Sequence, residues 1–324
     1  MKPADDLLPR DQQGARSQQL LIVLLGDYWH LRPEPIPSAA LVALLELFGV
    51  TPAGARAAIQ RLAKRGFLVS VKSGRTTAYC VSPMSQESVD AHVELLFRSH
   101  IPRPWDGTWT VVGYSLPEDQ RGTRNALRER LRQSGFGNVH DGLWIRPGDC
   151  RSEVESIVGE LAVRPSAGQL TVFVGARLPD ESVPAIARDA FGLDEIAAAY
   201  RDFTEQWEPV AAEIQQASGG ARSRHPRDER APHDGDALRL RTSIMREWRE
   251  LRHADPMLPQ PLVGDGFPFE RALDVCSTIY DTTGPAAEAE FRRVLEPHSA
   301  ALADLVSHHT FATYAEAPPG SAKG

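Results

Sequence analysis

The spacing of apolar side chains predicts three short helices followed by a pair of strands at the start of the chain. In residues 17–30 apolar positions recur every three or four residues, which is the repeat of one face of a helix. Residues 38–48 and 52–65 have the same repeat, with Ser38 expected to cap the second helix. After Gly66 the repeat changes to two on both sides of a Ser73-Gly74 turn, which predicts a β-hairpin.

The middle of the chain alternates between strand and helix patterns. Residues 108–115 predict a strand and residues 119–134 a helix, and two strands flank the hairpin signal Asp141-Gly142. Residues 152–163 predict a second helix and residues 170–176 a last strand. The order β-α-β-β-α-β is that of a ferredoxin-like domain.

Helical patterns dominate the rest, including separate helices at 269–280 and 286–295. The predicted fold class is α+β, with an N-terminal winged helix-turn-helix, a central ferredoxin-like βαββαβ domain and an all-α C-terminal domain. We place the winged helix at residues 17–83, a connecting helix at 84–104, the central domain at 105–178 and the helical domain at 185–315. Residues 218–236 mix both charge signs with Gly and Pro and predict a flexible loop.

Composition indicates an ordinary globular protein. The chain has 324 residues, of which 42% are hydrophobic and 24% charged. Its apolar run at residues 20–25 is far shorter than the roughly 20 residues that cross a bilayer, so no membrane association is predicted. The three cysteines are Cys80, Cys150 and Cys276; this wide spacing indicates neither a disulfide framework nor a metal pair, and it favours a cytoplasmic protein.

Charge sets the first helices and the hairpin apart. The formal net charge of the chain is -7, yet residues 49–82 hold six Lys or Arg side chains and no Asp or Glu. The acidic total argues against a protein that coats nucleic acid over its whole surface. Three helices and a hairpin form a winged helix-turn-helix, in which one helix enters the major groove of double-stranded operator DNA. A solvated basic helix beside an unrelated hairpin is the alternative, and the ordered combination of cap, small-residue face, basic flank and hairpin favours DNA.

The third helix has the side chains that groove recognition needs. Small residues on its outer side let the backbone approach the bases, where Gln60 is suited to adenine and Arg56 to guanine. The remaining basic side chains are suited to phosphates. The predicted DNA contacts are Thr51, Ala53, Arg56, Ala57, Gln60, Arg61, Lys64, Arg65, Lys72, Ser73 and Arg75.

Several stretches together resemble the PaaX-type repressors of phenylacetate catabolism. They are GVTPAGARAAIQRLAKRGFL and GRTTAYCVSP in the first domain, WDGTWTVVGYSLPEDQRGTRNALRERLRQSGFGNVHDGLWIRP in the second and WRELRHADPMLPQPL in the third. The resemblance implies a GntR-like winged helix, a central domain similar to the small CRISPR-associated integration nuclease, and a helical C-terminal domain. It also implies a homodimer whose repression is relieved by an aryl-acetyl coenzyme A thioester. Residues 263–267 and 218–236 depart from the family pattern, so the acyl group of the effector stays open.

Two groups of arginines are candidates for an effector site, because a guanidinium fork suits phosphate. One lies on the helix that begins near Asp119, and the other surrounds a tryptophan in the C-terminal domain. The predicted effector contacts are Arg128, Arg241, Trp248 and Arg249. The alternative is that the first group covers a surface helix balanced by acidic residues and the second divides between solvent and core.

Two other functions compete with a repressor. The resemblance of the central fold to a nuclease suggests a metal-dependent nuclease, which would need a carboxylate near the end of its first strand to bind a divalent ion. The strand ends without one, and Glu118 and Asp119 follow only after Pro117. A non-specific architectural DNA binder is the second alternative. No motif of a hydrolase, nucleotide-binding loop or zinc protease is present, so we predict neither an enzyme, a metal site nor a cofactor.

Overall fold

The protein divides into two units. The computed structural model describes residues 15–73, 76–98, 104–161, 170–220 and 236–316. Unit 1 consists of the described residues within Met1–His100, Phe203–Arg252 and Arg271–Gly324, and unit 2 of those within Ile101–Asp202 and His253–Glu270. The chain contains both helices and antiparallel sheets, which confirms the mixed α and β composition. The finer domain boundaries stay predictions.

Unit 1 begins with the predicted helices and hairpin. Helices α1 (Ala15–Tyr28), α2 (Ser38–Glu46) and α3 (Pro52–Arg65) precede strands β2 (Leu68–Ser73) and β3 (Thr76–Val81), and α4 (Pro83–Arg98) follows. The predicted Ser38 cap of helix α2 is wrong: Pro37 occupies the N-cap position, without a side-chain hydrogen bond, because Ser38 already lies in the first turn. Strands β2 and β3 pair antiparallel with Ser73 opposite Thr76, so the connection between them has two residues.

A short third strand, β1 (Ile36–Pro37), completes this sheet. It pairs with β3 in the order β1-β3-β2, with Ile36 opposite Tyr79. Proline lacks a donor and is tolerated where a strand lies at the edge of a sheet. The proline-rich segment after α1 therefore holds an edge strand, which the periodicity did not predict.

The C-terminal helices of unit 1 share a core with the N-terminal ones. They are α9 (Asp236–Ala254), α11 (Phe269–Leu295), α12 (Ala300–Ala303) and α13 (Phe311–Glu316). Leu238 of α9 and Phe291 of α11 belong to the same buried cluster as Leu21 and Leu62, and the Tyr28 and Phe291 rings stack at 4.8 Å. The two ends of the chain therefore complete one hydrophobic core.

Two helix predictions need correction. The separate helices at 269–280 and 286–295 are one helix, α11, with Pro285 inside it. The helix continues through Pro285 because residues on both sides of the proline, such as Tyr280 and Phe291, are buried in the core. The predicted loop at 218–236 is narrower, because α8 (Leu193–Gly220) and α9 extend into its two ends, while residues 221–235 lie outside the described residues.

Unit 2 contains the four-stranded antiparallel sheet. The elements follow the order β4 (Trp109–Tyr114), α5 (Arg121–Gln133), β5 (Gly137–His140), β6 (Leu143–Pro147), α6 (Arg151–Glu160) and β7 (Leu170–Ala176). In space the strands follow the order β5-β6-β4-β7. The Asp141-Gly142 turn joins β5 to β6 as predicted, and Gly142 has a φ of 77° with no room for a Cβ beside the Tyr114 carbonyl.

Helices cover both faces of this sheet. On one face, Val112 and Trp144 pack with Leu131 of α5 and Ile157 of α6. On the other face, Trp109 and Ile145 pack with α7 (Val183–Phe191), the start of α8 and α10 (Gln260–Val263). Because side chains along a strand point alternately to the two faces of the sheet, Trp109 of β4 lies in one core and Trp144 of β6 in the other.

Candidate nucleic-acid interface

Helix α3 is built by local signals that the sequence contains. The Thr51 hydroxyl accepts a hydrogen bond from the Gly54 N–H at 3.2 Å, and Pro52 occupies the first turn, where its missing N–H needs no partner. The C-terminal cap is Gly66, whose φ of 87° favours glycine. Ala55, Ala58, Ile59 and Leu62 are buried, so one face of α3 is anchored in unit 1.

The opposite face of α3 is exposed and basic. Arg56, Gln60 and Lys64 follow one another at four-residue intervals, and Arg61 lies beside them. Arg56, Gln60, Arg61 and Lys64 are exposed, as are Thr51 and Ala53, whereas Ala57 is half-buried. No ion pair joins Arg56, Arg61 or Lys64 to another residue of the described ranges. This face therefore keeps its charge available for a polyanion.

The hairpin lies next to α3 in the chain and extends the basic surface. Lys72 is exposed on β2. Ser73 ends the strand, and Arg75 lies outside the described residues. Val69 and Val71 are 43% and 38% exposed, so the hairpin turns an apolar pair outward.

Arg65 differs from the other predicted contacts. It lies in the last turn of α3, and its Nη1 is buried without a hydrogen-bond partner among the described atoms. The Arg65 guanidinium therefore packs at the C-terminal end of α3 and also adds to the positive charge of the helix. The structure thus brings the predicted α3 residues onto one face but places Arg65 at its margin.

The predicted effector residue Arg241 is fully buried in unit 1. It donates hydrogen bonds to the carbonyls of Tyr280 at 3.0 Å and His309, and its guanidinium lies 3.6 Å from the centre of the Tyr280 ring. The Tyr28 ring lies on it at 5.1 Å. Burial of a guanidinium is tolerated when hydrogen bonds and π faces replace water. Arg241 therefore ties α9 to both α1 and α11.

Asp27 is the carboxylate near this arginine. Burial raises its pKa to about 6, although the charge of Arg241 and the Tyr280 hydroxyl oppose the shift. Burial and the positive charge of Arg241 lower the pKa of His309 well below its usual range, so its ring is neutral. No pattern in the sequence indicates this cluster, because its members are far apart along the chain.

The other predicted effector residues are divided between the two units, and their role stays a prediction. Trp248 is fully buried and packs against Phe203 and Phe311 in unit 1. Arg249 is half-buried on the same helix, and burial lowers its pKa. Arg128 is half-buried on α5 in unit 2.

On helix α5 several arginines pair with acidic side chains, as expected for the alternative in which this helix is an ordinary protein surface. Arg130 pairs with Glu160 at 2.5 Å, and Arg132 pairs with Glu129 at 2.9 Å. Arg124 contacts Glu118 at 3.4 Å and donates to the Leu116 carbonyl at 2.7 Å. Three of its arginines are therefore engaged by neighbours in the same unit.

Two features are absent from the described ranges. These ranges contain no group of three or more His, Cys, Asp or Glu side chains arranged to hold a metal ion. Nor do they contain a helix long and apolar enough to cross a bilayer. Glu118, the first acid after strand β4, contacts Arg124 at 3.4 Å.

Comparisons with known proteins agree with this architecture. Three protein-family models match in chain order: PaaX-like protein over residues 16–84, the PaaX protein central Cas2-like domain over 102–183, and the PaaX-like protein C-terminal domain over 191–293. The chain belongs to the PaaX family. The resemblance inferred from the sequence stretches is confirmed.

This PaaX-family chain has relatives of known sequence and structure. It is 25% identical over 271 residues to the transcriptional repressor PaaX of Escherichia coli (strain K12), covering 83% of this chain and 81% of that protein. It is also similar in fold to the uncharacterized protein Rv0674 from Mycobacterium tuberculosis. That likeness has a TM-score of 0.55 at 20% identity and covers 85% of this chain and 97% of the other.

Proposed function

We propose that this PaaX-family protein is a DNA-binding transcriptional repressor of phenylacetate catabolism. The observation that carries the proposal is the exposed, acid-free basic face of α3, in a chain related along most of its length to a protein named a transcriptional repressor. We further propose that it acts in the cytoplasm as a regulator and not as an enzyme.

In this proposal α1 to α3 and the hairpin act as a winged helix. The 14-residue helix is about 21 Å long, and a helix diameter of about 10 to 12 Å fits a major groove roughly 12 Å wide. Arg56 and Gln60 read bases, because they lie at the centre of the exposed face. Arg61, Lys64 and Lys72 contact phosphates at its edges. Arg75, which lies outside the described residues, would contribute one more positive charge.

The proposed repressor works as a homodimer with a small effector. Its central sheet is of the ferredoxin-like type, and two copies present their α3 helices to half-sites one helical turn, or about 34 Å, apart. An aryl-acyl coenzyme A thioester releases the DNA only if it binds the DNA-incompetent arrangement more tightly than the competent one.

A gel shift on the DNA upstream of its own gene tests the proposal. The wild-type protein should retard this DNA and not a scrambled fragment of equal length. The double variant Arg56→Ala, Gln60→Ala should lose about 2 to 6 kcal/mol of the preference for the specific fragment, because each good base contact contributes about 1 to 3 kcal/mol. Arg151→Ala is a matched control, since this exposed arginine lies on α6.

The alternatives give different results in the same assay. Equal retardation of specific and scrambled DNA would identify an architectural binder. Metal-dependent cutting of the fragment would identify a nuclease. Specific retardation that survives both substitutions would contradict the assignment of α3 as the recognition helix.

A further inference from the structure

Unit 2 contains a cleft that the DNA-binding proposal does not use. Its volume is about 510 Å³, within the range of small-molecule sites. One wall comes from the segment before β4 and from the end of β6, and the other from the segment between α9 and α10. The lining residues are Pro104, Trp105, Asp106, Gly135, Arg146, Pro147, Gly148, Pro256, Met257, Leu258 and Pro259.

The apolar wall of the cleft is held rigidly. The Trp105 indole N–H donates to the Thr108 carbonyl at 2.8 Å, and its ring packs edge-on against the buried Trp109 at 5.4 Å. Met257 has a φ of 51°, in the region that residues other than glycine rarely adopt. Such a conformation persists only where the surroundings impose it.

A buried acid imposes the conformation of Met257. One oxygen of Asp255 accepts from the Met257 N–H at 2.7 Å, and the other accepts from the Tyr200 hydroxyl at 2.7 Å. Asp255 is 8% exposed and Tyr200 is fully buried. The turn that carries Met257 to the cleft is therefore fixed by hydrogen bonds beneath it, which is a feature of a pre-formed site.

Arg146 is the cation of the cleft. Its Nη1 contacts Glu153 at 3.3 Å, while no described contact engages Nη2. Gly135 lies beside it, since a Cβ built there would be in ordinary contact with the Arg146 Nε at 3.6 Å. The other charge, Asp106, turns one oxygen to the backbone and hydroxyl of Thr108 at 2.9 and 2.7 Å. The acid is thus engaged by a neighbour, and the guanidinium keeps a donor for a ligand.

We propose that this cleft binds the acyl part of a small aromatic acid or its ester, with the ring between Trp105 and Met257 and the acyl oxygen accepting from Arg146. A flat apolar group matches the tryptophan, methionine and proline walls. A carbonyl or carboxylate oxygen matches a guanidinium donor. A free acid and a thioester share this chemistry.

The position of the cleft gives the ligand a route to regulation. Its two walls fall in different family domains, the central one and the C-terminal one. The second wall continues directly into α9, whose Leu238 and Arg241 are buried in the core of unit 1. This inference rests on the proposed function only in treating the bound molecule as the effector.

Calorimetric titration of the full-length protein tests the site, with phenylacetate, phenylacetyl-CoA and CoA alone as probes. Arg146→Gln should weaken acyl binding about 10-fold or more, because it removes a charged donor. Met257→Gly should weaken it about fivefold through lost apolar contact, and glycine adopts the same backbone conformation without strain. The matched controls are Arg151→Gln, an exposed arginine of unit 2, and Leu31→Gly, a residue with a φ of 59° in unit 1.

Each outcome of this titration decides the question. Binding that both cleft substitutions weaken and both controls leave unchanged supports the site, and the relative affinities of phenylacetate and phenylacetyl-CoA identify acid or thioester. Equal affinity for CoA and phenylacetyl-CoA, or affinity unchanged in both cleft variants, overturns it. Wild-type protein that shifts its operator but binds neither acyl probe overturns the inference and leaves the repressor standing. Protein that binds an acyl probe at the cleft but does not shift its operator supports the site and contradicts the proposed repressor.

Discussion

Replacing Asp27 by asparagine should remove a specific part of the pH dependence of stability. The Asp27 carboxyl is buried, and burial raises its pKa from 3.8 to about 6. Between these pH values the folded protein binds more protons than the unfolded chain does. The free energy of unfolding therefore falls as pH rises through this window.

The magnitude follows from the size of the shift. One pKa unit corresponds to about 1.4 kcal/mol, so a shift of roughly two units makes ionised Asp27 cost about 3 kcal/mol at neutral pH. Arg241 reduces this cost but does not cancel it, because its guanidinium already serves two carbonyls. The asparagine side chain of the variant has no proton to lose, so the cost should be absent there.

Urea unfolding of both proteins between pH 4 and pH 7.5 measures the effect. The stability of the wild type should decline from pH 4 to pH 7 by about 2 kcal/mol more than that of Asp27→Asn, because part of the full effect lies below pH 4. Asp274→Asn, which changes an exposed carboxylate of α11, serves as the control and should follow the wild-type curve. Parallel curves for wild type and Asp27→Asn would refute the reasoning, because they would mean that Asp27 has the same pKa in both states.

Three further predictions concern single side chains. Thr51→Ala should lower the free energy of unfolding by about 1 kcal/mol in thermal melts, because the Gly54 N–H loses its cap. Gly284→Ala should destabilise by about 1–3 kcal/mol, since the new Cβ would lie 2.5 Å from the His308 ring, whereas Gly159→Ala meets open space and should be neutral or stabilising. Lys64→Ala should reduce the slope of log affinity against log salt by about 0.9 on any DNA, and an unchanged slope would remove Lys64 from the phosphate contacts.

The elements of unit 1 that the sequence predicted best are those specified by neighbours in the chain. Helix α3 has its cap, its first-turn proline and its terminal glycine within 16 residues, and the structure places all three as expected. Strand β1 was missed because two residues contain no alternation and one of them is proline. Its pairing depends on β3, about 40 residues further along the chain.

The environment of the predicted effector arginines was beyond sequence reasoning for a related reason. From the sequence alone, the basic residues around Trp248 could equally face solvent, bind a ligand or be buried in the core. Only the packing of α1 against α9 and α11 shows that Arg241 lies between two tyrosine rings. The cleft beside Met257 was likewise hidden, because its walls are more than 100 residues apart.

The shared core of unit 1 has a consequence for synthesis of the protein on the ribosome. Helix α1 is made before α9 and α11, yet the Tyr28 ring stacks on Phe291, more than 260 residues further along the chain. The N-terminal segment therefore exposes apolar surface until α9 and α11 have left the exit tunnel. A chain truncated before α9 would keep the basic helix but lack the part of its supporting core that α9 and α11 contribute, so we expect such a fragment to bind DNA less well than the full chain.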